Sequence, residues 1–125
     1  MSKSDDLFDN NLILCPIELW AVVNNAGKLL AHEVIDGNSI DEIKNVMQTN
    51  TFGAVRVTKA FVPLLKETPN SRVILVSSMA SHEVLPLLTG YSMSKYAMRA
   101  LGNGLRRELK QFNIHVSMIE PTVYA

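Results

Sequence analysis

The sequence predicts an α/β protein built on a parallel, doubly wound sheet, and three observations lead there. Leu19–Val23, Arg72–Ser77 and Ile114–Ile119 are short runs rich in apolar and β-branched residues. Strands covered on both faces by helices read this way. Two long helical patterns lie between them, each long enough to cross from one parallel strand to the next. The first two runs also stop at residues able to carry chemistry: Asn24-Asn25-Ala26-Gly27 and Ser77-Ser78. Open α/β sheets place their ligands at such strand ends.

Residues 1–18 read as a poorly ordered leader. Met1–Asn11 is polar and acidic, without the basic start and small-residue cleavage site of a secretory signal. After the first strand, residues 28–38 read as a loop ending in Asp36-Gly37-Asn38. Ser39-Ile40-Asp41-Glu42 matches a capping box, with Ser39 as N-cap and Glu42 three residues on. The helix it opens runs to about Glu67, in two pieces around Gln48–Gly53, and Pro63 is expected to kink the second. Thr68-Pro69-Asn70-Ser71 is turn chemistry before the second strand.

Ser78–Thr89 reads as a loop, and Gly90 opens the longest helix, about Tyr91–Gln111. Met93, Ala97, Leu101, Leu105 and Leu109 recur every four residues and are expected to form its core-facing stripe. Gly102 and Gly104 each cost about 1 kcal/mol against alanine in a helix. They imply a close approach by another helix, of this chain or of a second subunit. Pro121 stops the third strand. A sheet of three parallel strands has two open edges, so the isolated chain is expected to be unstable or to self-associate.

Composition removes several classes of function. Twelve basic residues balance twelve acidic ones with no local excess of either, so a nucleic-acid footprint is not expected. Leu12–Val23, the longest apolar stretch, is interrupted by Pro16 and Glu18 and is too short to span a bilayer. Cys15 is the single cysteine, and His32, His82 and His115 show no ligand spacing, so no metal site is expected. A reducing, intracellular setting fits, cytoplasmic or membrane-associated in a longer form.

Tyr91 and Lys95 stand at i and i+4, one above the other on a helix face. A phenol of ordinary pKa near 10 is a poor base at neutral pH, and a nearby ammonium favours its phenolate. The pair can therefore act as general acid or base. Ser78, just past a strand end, can hydrogen-bond a substrate oxygen and stabilise charge developing on it. Gly27 allows close approach of backbone or ligand, and the Asn25 amide can brace adjacent loops. Asn50 is unusual in a helix interior, where its amide can bond a backbone group or a water and distort the helix. Each residue also has an ordinary structural reading: a tyrosine packed on a lysine stem, serines satisfying strand-end groups, a plain turn. Their joint occurrence in this order does not.

With these motifs assembled, Leu19–Ala125 resembles the short-chain dehydrogenase/reductase family. Asn24-Asn25-Ala26-Gly27 resembles the family's N-N-A-G, which steadies the sheet and borders the adenine pocket. The resemblance implies that Asn50 holds a water in a proton relay and that Ser78, Tyr91 and Lys95 are catalytic. It also makes Lys95 a ligand of the nicotinamide ribose. Pro121, Thr122 and Val123 would follow the nicotinamide, with Thr122 where the family usually has glycine. Asn25, Ala26, Gly27, Tyr91 and Lys95 complete the implied cofactor contacts, and the cofactor is NAD or NADP.

Leu19–Asn25, Leu105–Leu109 and Ile119–Pro121 are similar to the retinol, 17-beta-hydroxysteroid and 3-hydroxybutyrate dehydrogenases. That branch implies a lipophilic secondary alcohol, ketone or retinoid as substrate. The family's T-G-x-x-x-G-I-G turn and the residue choosing between NAD and NADP have no counterpart here. Residues 19–125 are accordingly expected to be the catalytic half of a Rossmann-like domain, lacking the first βαβ units and the C-terminal part. Such a truncated chain is expected to be inactive alone. The family pairs subunits through its long helices, so a homo-oligomer is expected. A second reading is a non-catalytic short isoform that binds a full-length relative through Ser39–Glu67 and Tyr91–Gln111. A third, given little weight, is an unrelated nucleotide-binding α/β domain.

Overall fold

A computed structural model describes residues 18–122. The leader 1–18 therefore lies outside the described residues except for Glu18, and Val123 lies outside them too. Three strands, β1 (Ala21–Asn24), β2 (Arg72–Val76) and β3 (His115–Ile119), form one parallel sheet in the order β1-β2-β3. Val22 pairs with Val73, and Val73 with Val116, so the inward-pointing valines share one row.

Between β1 and β2 the chain forms α1 (Ile40–Met47), a π turn (Gln48–Phe52) and α2 (Gly53–Glu67). Ser39 caps α1 as expected: its Oγ accepts from the Glu42 amide at 3.2 Å, and its own amide donates to Glu42 Oε2 at 2.7 Å. The expected division at Gln48–Gly53 is the π turn itself. α2 runs through Pro63, which sits on its exposed side, and ends four residues later.

Between β2 and β3 the chain forms a short 3₁₀ turn (Met79–Ser81) inside the expected loop, then α3 (Thr89–Glu108). α3 ends before Gln111, because Lys110–Phe112 tightens into a 3₁₀ turn closed by Asn113 in the left-handed region at φ 57°. Asn70, also left-handed, accepts from Asn113 Nδ2 at 3.1 Å and joins the two turns that lead into β2 and β3.

The expected stripe on α3 is not the buried one. Met93 is 49% exposed, whereas Ser94, Lys95, Met98 and Gly102 are buried. A spacing of four overshoots the 3.6-residue turn by about 40° per step, so such a stripe winds around the helix. Only its later members, Leu101, Leu105 and Leu109, reach the core.

Gly102 marks a close approach, but to the sheet rather than to a helix. A Cβ there would collide with the Met118 sulfur and stand 3.2 Å from Leu75 Cδ1. Gly104 has open space, with only Glu108 Oε1 at 4.0 Å.

α2 and α3 cover one face of the sheet, where Val22, Val73, Leu75 and Val116 pack with Ala54, Leu65 and Met98. The strands were expected to be covered on both faces. Among the described residues the opposite face is open, with Val23 56% and Ile119 51% exposed.

Candidate active site

The carboxyl ends of the three strands bring the chemistry together. β1 ends at Asn24, whose Nδ2 donates to Thr58 Oγ1 at 3.2 Å in the buried seam with α2. The brace expected of Asn25 is thus made by its neighbour, and Asn25 itself is exposed. Asn25 and Ala26 line a cleft of about 330 Å³ with Thr49 and Arg56.

The π turn places Asn50, which is 1% exposed. Its Oδ1 accepts from the Lys28 amide at 2.7 Å, and its Nδ2 donates to the Lys28 carbonyl at 2.9 Å and to Ser94 Oγ at 2.9 Å. One side chain thereby fastens the loop after β1 to α3. π turns of this kind occur often at functional sites.

On α3, Lys95 is buried and its Nζ donates to the Val76 carbonyl at 3.2 Å. Burial pushes the ammonium below the ordinary lysine value. Nζ stands 5.6 Å from the centre of the Tyr91 ring. A Cβ built on Gly27 would sit 3.6 Å from both Lys95 Nζ and Asn50 Oδ1, so these three positions converge.

Ser78 follows β2 in extended conformation, and its Oγ accepts from the Ala80 amide at 3.1 Å, opening the 3₁₀ turn. Ser78 and Tyr91 line one cleft of about 520 Å³ together with Pro121 and Thr122. Leu29, Leu85 and Leu88 make its wall largely apolar. Thr122 replaces the family's glycine without strain, since the left-handed non-glycine residues among those described are Asn70, Leu87 and Asn113.

Three side chains take part although the sequence assigned none of them a role: Ser94, Glu120 and His82. Ser94 is fully buried and donates from Oγ to the Tyr91 carbonyl at 2.6 Å. Its position three residues after Tyr91, on the Lys95 side of the helix, was the available clue. Glu120 and His82, the latter expected to have no role, form a pair at 2.8 Å between Oε2 and Nε2. Burial alone would raise the Glu120 carboxyl. Hydrogen bonds from His82 and Ser81, with the charges of His82 and Arg99, outweigh it and hold the group below its ordinary value. No cluster of metal-ligating side chains occurs among the described residues, and no described helix is long and apolar enough to cross a membrane.

The family model for short chain dehydrogenase matches residues 15–125. The chain belongs to the short-chain dehydrogenase/reductase family. It is 36% identical to human dehydrogenase/reductase SDR family member 9 over 106 residues, which is 85% of this chain and 33% of that protein. Bos taurus retinol dehydrogenase 8 is 38% identical over 104 residues, 83% of this chain and 33% of that protein. Mus musculus estradiol 17-beta-dehydrogenase 2 is 40% identical over 105 residues, 82% of this chain and 27% of that protein. The chain thus spans about a third of the length of the curated relatives it matches. Among solved structures, a Burkholderia cenocepacia short chain dehydrogenase in complex with NADP superposes with a TM-score of 0.77 at 28% identity, covering 82% of this chain and 43% of that one. A Streptomyces avermitilis short-chain dehydrogenase gives a TM-score of 0.78 at 28% identity, covering 84% of this chain and 38% of that one. The Rossmann-like fold class expected from the motifs is therefore the one observed, as a three-stranded open sheet.

Proposed function

We propose that this chain carries the proton-transfer part of an NAD- or NADP-dependent oxidoreductase acting on a lipophilic secondary alcohol or ketone, or on a retinoid. The observation that carries the reading is the shared cleft of Ser78 and Tyr91, with the Lys95 ammonium behind the tyrosine ring. Tyr91 gives or takes the proton of the substrate oxygen. Ser78 donates a hydrogen bond to that oxygen and stabilises the charge growing there. Lys95 supplies positive charge beside the developing phenolate. Asn50, bonded to the Lys28 carbonyl, positions the loop through which a water could extend the proton path.

The residues present fit a nicotinamide cofactor. The buried Lys95 ammonium has three donors and one protein acceptor, Val76 O, which leaves two for ribose hydroxyls beside Gly27. When bound, a nicotinamide ring would exchange a hydride with the carbinol carbon. The apolar wall of Leu29, Leu85 and Leu88 suits a hydrocarbon substrate better than a sugar or an amino acid.

The test is turnover of retinol and estradiol, with 3-hydroxybutyrate as the polar comparison, each with NAD and with NADP, using protein of native length. Tyr91→Phe should abolish it. Undiminished turnover in that variant would overturn the reading.

A second reading has its own support. Val57, Phe61 and Leu64 stand 39%, 40% and 51% exposed on α2, an apolar face suited to a subunit contact. A chain of 125 residues found as such in its source, with an effect that survives Tyr91→Phe, would favour a non-catalytic binding partner.

A further inference from the structure

We propose that Glu120 and His82 are a positioning pair that fixes the catalytic serine segment against the segment leading to Thr122. The proposal rests on the oxidoreductase reading above.

Beyond the strand ends, β2 and β3 continue as a short parallel ladder. The Ser77 amide donates to the Ile119 carbonyl at 2.7 Å, and the Met79 amide to the Pro121 carbonyl at 3.0 Å. Ser78 and Glu120 therefore sit inside the same ladder, on opposite sides of its seam. Two backbone bonds near open water are a weak hinge by themselves.

Glu120 crosses that seam. Its Oε1 accepts from Ser81 Oγ at 2.8 Å, and its Oε2 pairs with His82 Nε2 at 2.8 Å. Ser81 and His82 belong to the turn that Ser78 opens. The same two residues are gripped from behind by α3. The Tyr96 hydroxyl donates to the His82 carbonyl at 2.5 Å, and Arg99 Nη1 to the Ser81 carbonyl at 3.3 Å. Tyr96 and Arg99 lie on α3 within the turn that follows Lys95, so Ser78, Lys95 and the segment leading to Thr122 refer to one frame.

The carboxylate is well suited to this work. It is three-quarters shielded, with 25% of its side chain exposed, and both oxygens are matched by donors. Charge-assisted bonds of this kind are shorter and stronger than neutral ones. His82 remains 38% exposed at its side chain and is the outer half of the clamp. Neither residue lines the cleft, so neither is expected to touch substrate.

The pair should therefore act on kcat rather than on cofactor affinity. In protein of native length, Glu120→Ala should lower kcat by about 100-fold with KM for the nicotinamide cofactor within about threefold. His82→Ala should lower kcat by about tenfold, and the double variant should be no slower than Glu120→Ala alone. Glu120→Gln keeps an acceptor for Ser81 and should recover most of the loss. Thermal melts run alongside establish that each variant folds. If Glu120→Ala does not fold, His82→Ala and Glu120→Gln decide, since the first removes an exposed ring and the second preserves shape.

Wild-type kcat in His82→Ala and Glu120→Ala, additive losses, or losses confined to KM would overturn the proposal. Tyr91→Phe in the same preparation separates the two claims. If Tyr91→Phe is inactive while the pair's variants are unaffected, only the pair's role fails. If Tyr91→Phe turns over normally, or the wild type turns over none of the three substrates, the oxidoreductase reading fails and the pair's role with it.

Discussion

The Asn50 amide donates to Ser94 Oγ at 2.9 Å, and that same hydroxyl donates onward to the Tyr91 carbonyl at 2.6 Å. The π turn and the helix bearing Tyr91 are thus joined through one fully buried serine, with Thr51 Oγ1 adding a bond to the Ser94 carbonyl at 3.0 Å.

Ser94→Ala leaves the Tyr91 carbonyl without its side-chain donor and one Asn50 hydrogen without an acceptor. Losing such a buried link costs about 1–3 kcal/mol. Urea unfolding should show the midpoint falling with the slope unchanged. Turnover in the native-length protein should fall by more than Lys28→Ala causes, since Lys28 holds Asn50 through its backbone and not its side chain.

Lys95→Met should raise the thermal midpoint by roughly 2–4 °C while abolishing turnover. The folded pKa of Lys95 lies below its ordinary 10.5 because burial disfavours the charged form. At any pH below that lowered value, burying the ammonium costs stability. The cost fades as pH rises from the folded pKa to the unfolded one and is gone above both. The advantage of Lys95→Met over the parent should therefore shrink at alkaline pH. A melting series from neutral to alkaline buffer checks the sign.

Glu120 behaves in the opposite sense. Its folded pKa lies below 4.5, so its bonds to Ser81 and His82 stabilise the fold fully above that value. The contribution disappears as pH falls through the folded pKa. Glu120→Gln should flatten the loss of stability as pH falls below about 4.5, measured by urea midpoints at each pH.

The two helical glycines should separate. Gly104→Ala meets open space and should stabilise by about 1 kcal/mol through helix propensity. Gly102→Ala gains the same propensity but strikes Met118 and crowds Leu75. Overpacking costs about 1–3 kcal/mol, so the net effect should be destabilising. A pair of denaturation curves decides it.

Much of this molecule was legible because the signals are local. The Ser39–Glu42 box, the β-branched runs and the i, i+4 pair of Tyr91 and Lys95 need only neighbouring residues to be read. Ser78 was legible because a strand end locates it. Other features depend on facts no local pattern holds. His82 meets Glu120 across 38 residues, through the register Val76↔Ile119. The buried side of α3 was misjudged because the four-residue repeat of apolar side chains outweighed the serines, the lysine and the glycine that actually face inward. Those small and polar residues are inside because the site and the sheet require them there, against hydrophobic preference. The open face of the sheet shows the same limit, since Val23 and Ile119 read as buried by composition alone.

The π turn at Gln48–Phe52 lets the helix carry one surplus residue between α1 and α2. Val46 before it and Ala54 and Thr58 after it all face the core, so the flanking helices keep their phase across the bulge. Fold and site are therefore counted differently in this stretch. Shortening it by one residue at Thr49 would restore an ordinary α-helix with both hydrophobic faces still aligned, yet would carry Asn50 away from Lys28 and Ser94. A gap there in a relative would mark a chain that had kept the architecture and given up the link from Lys28 through Asn50 to Ser94.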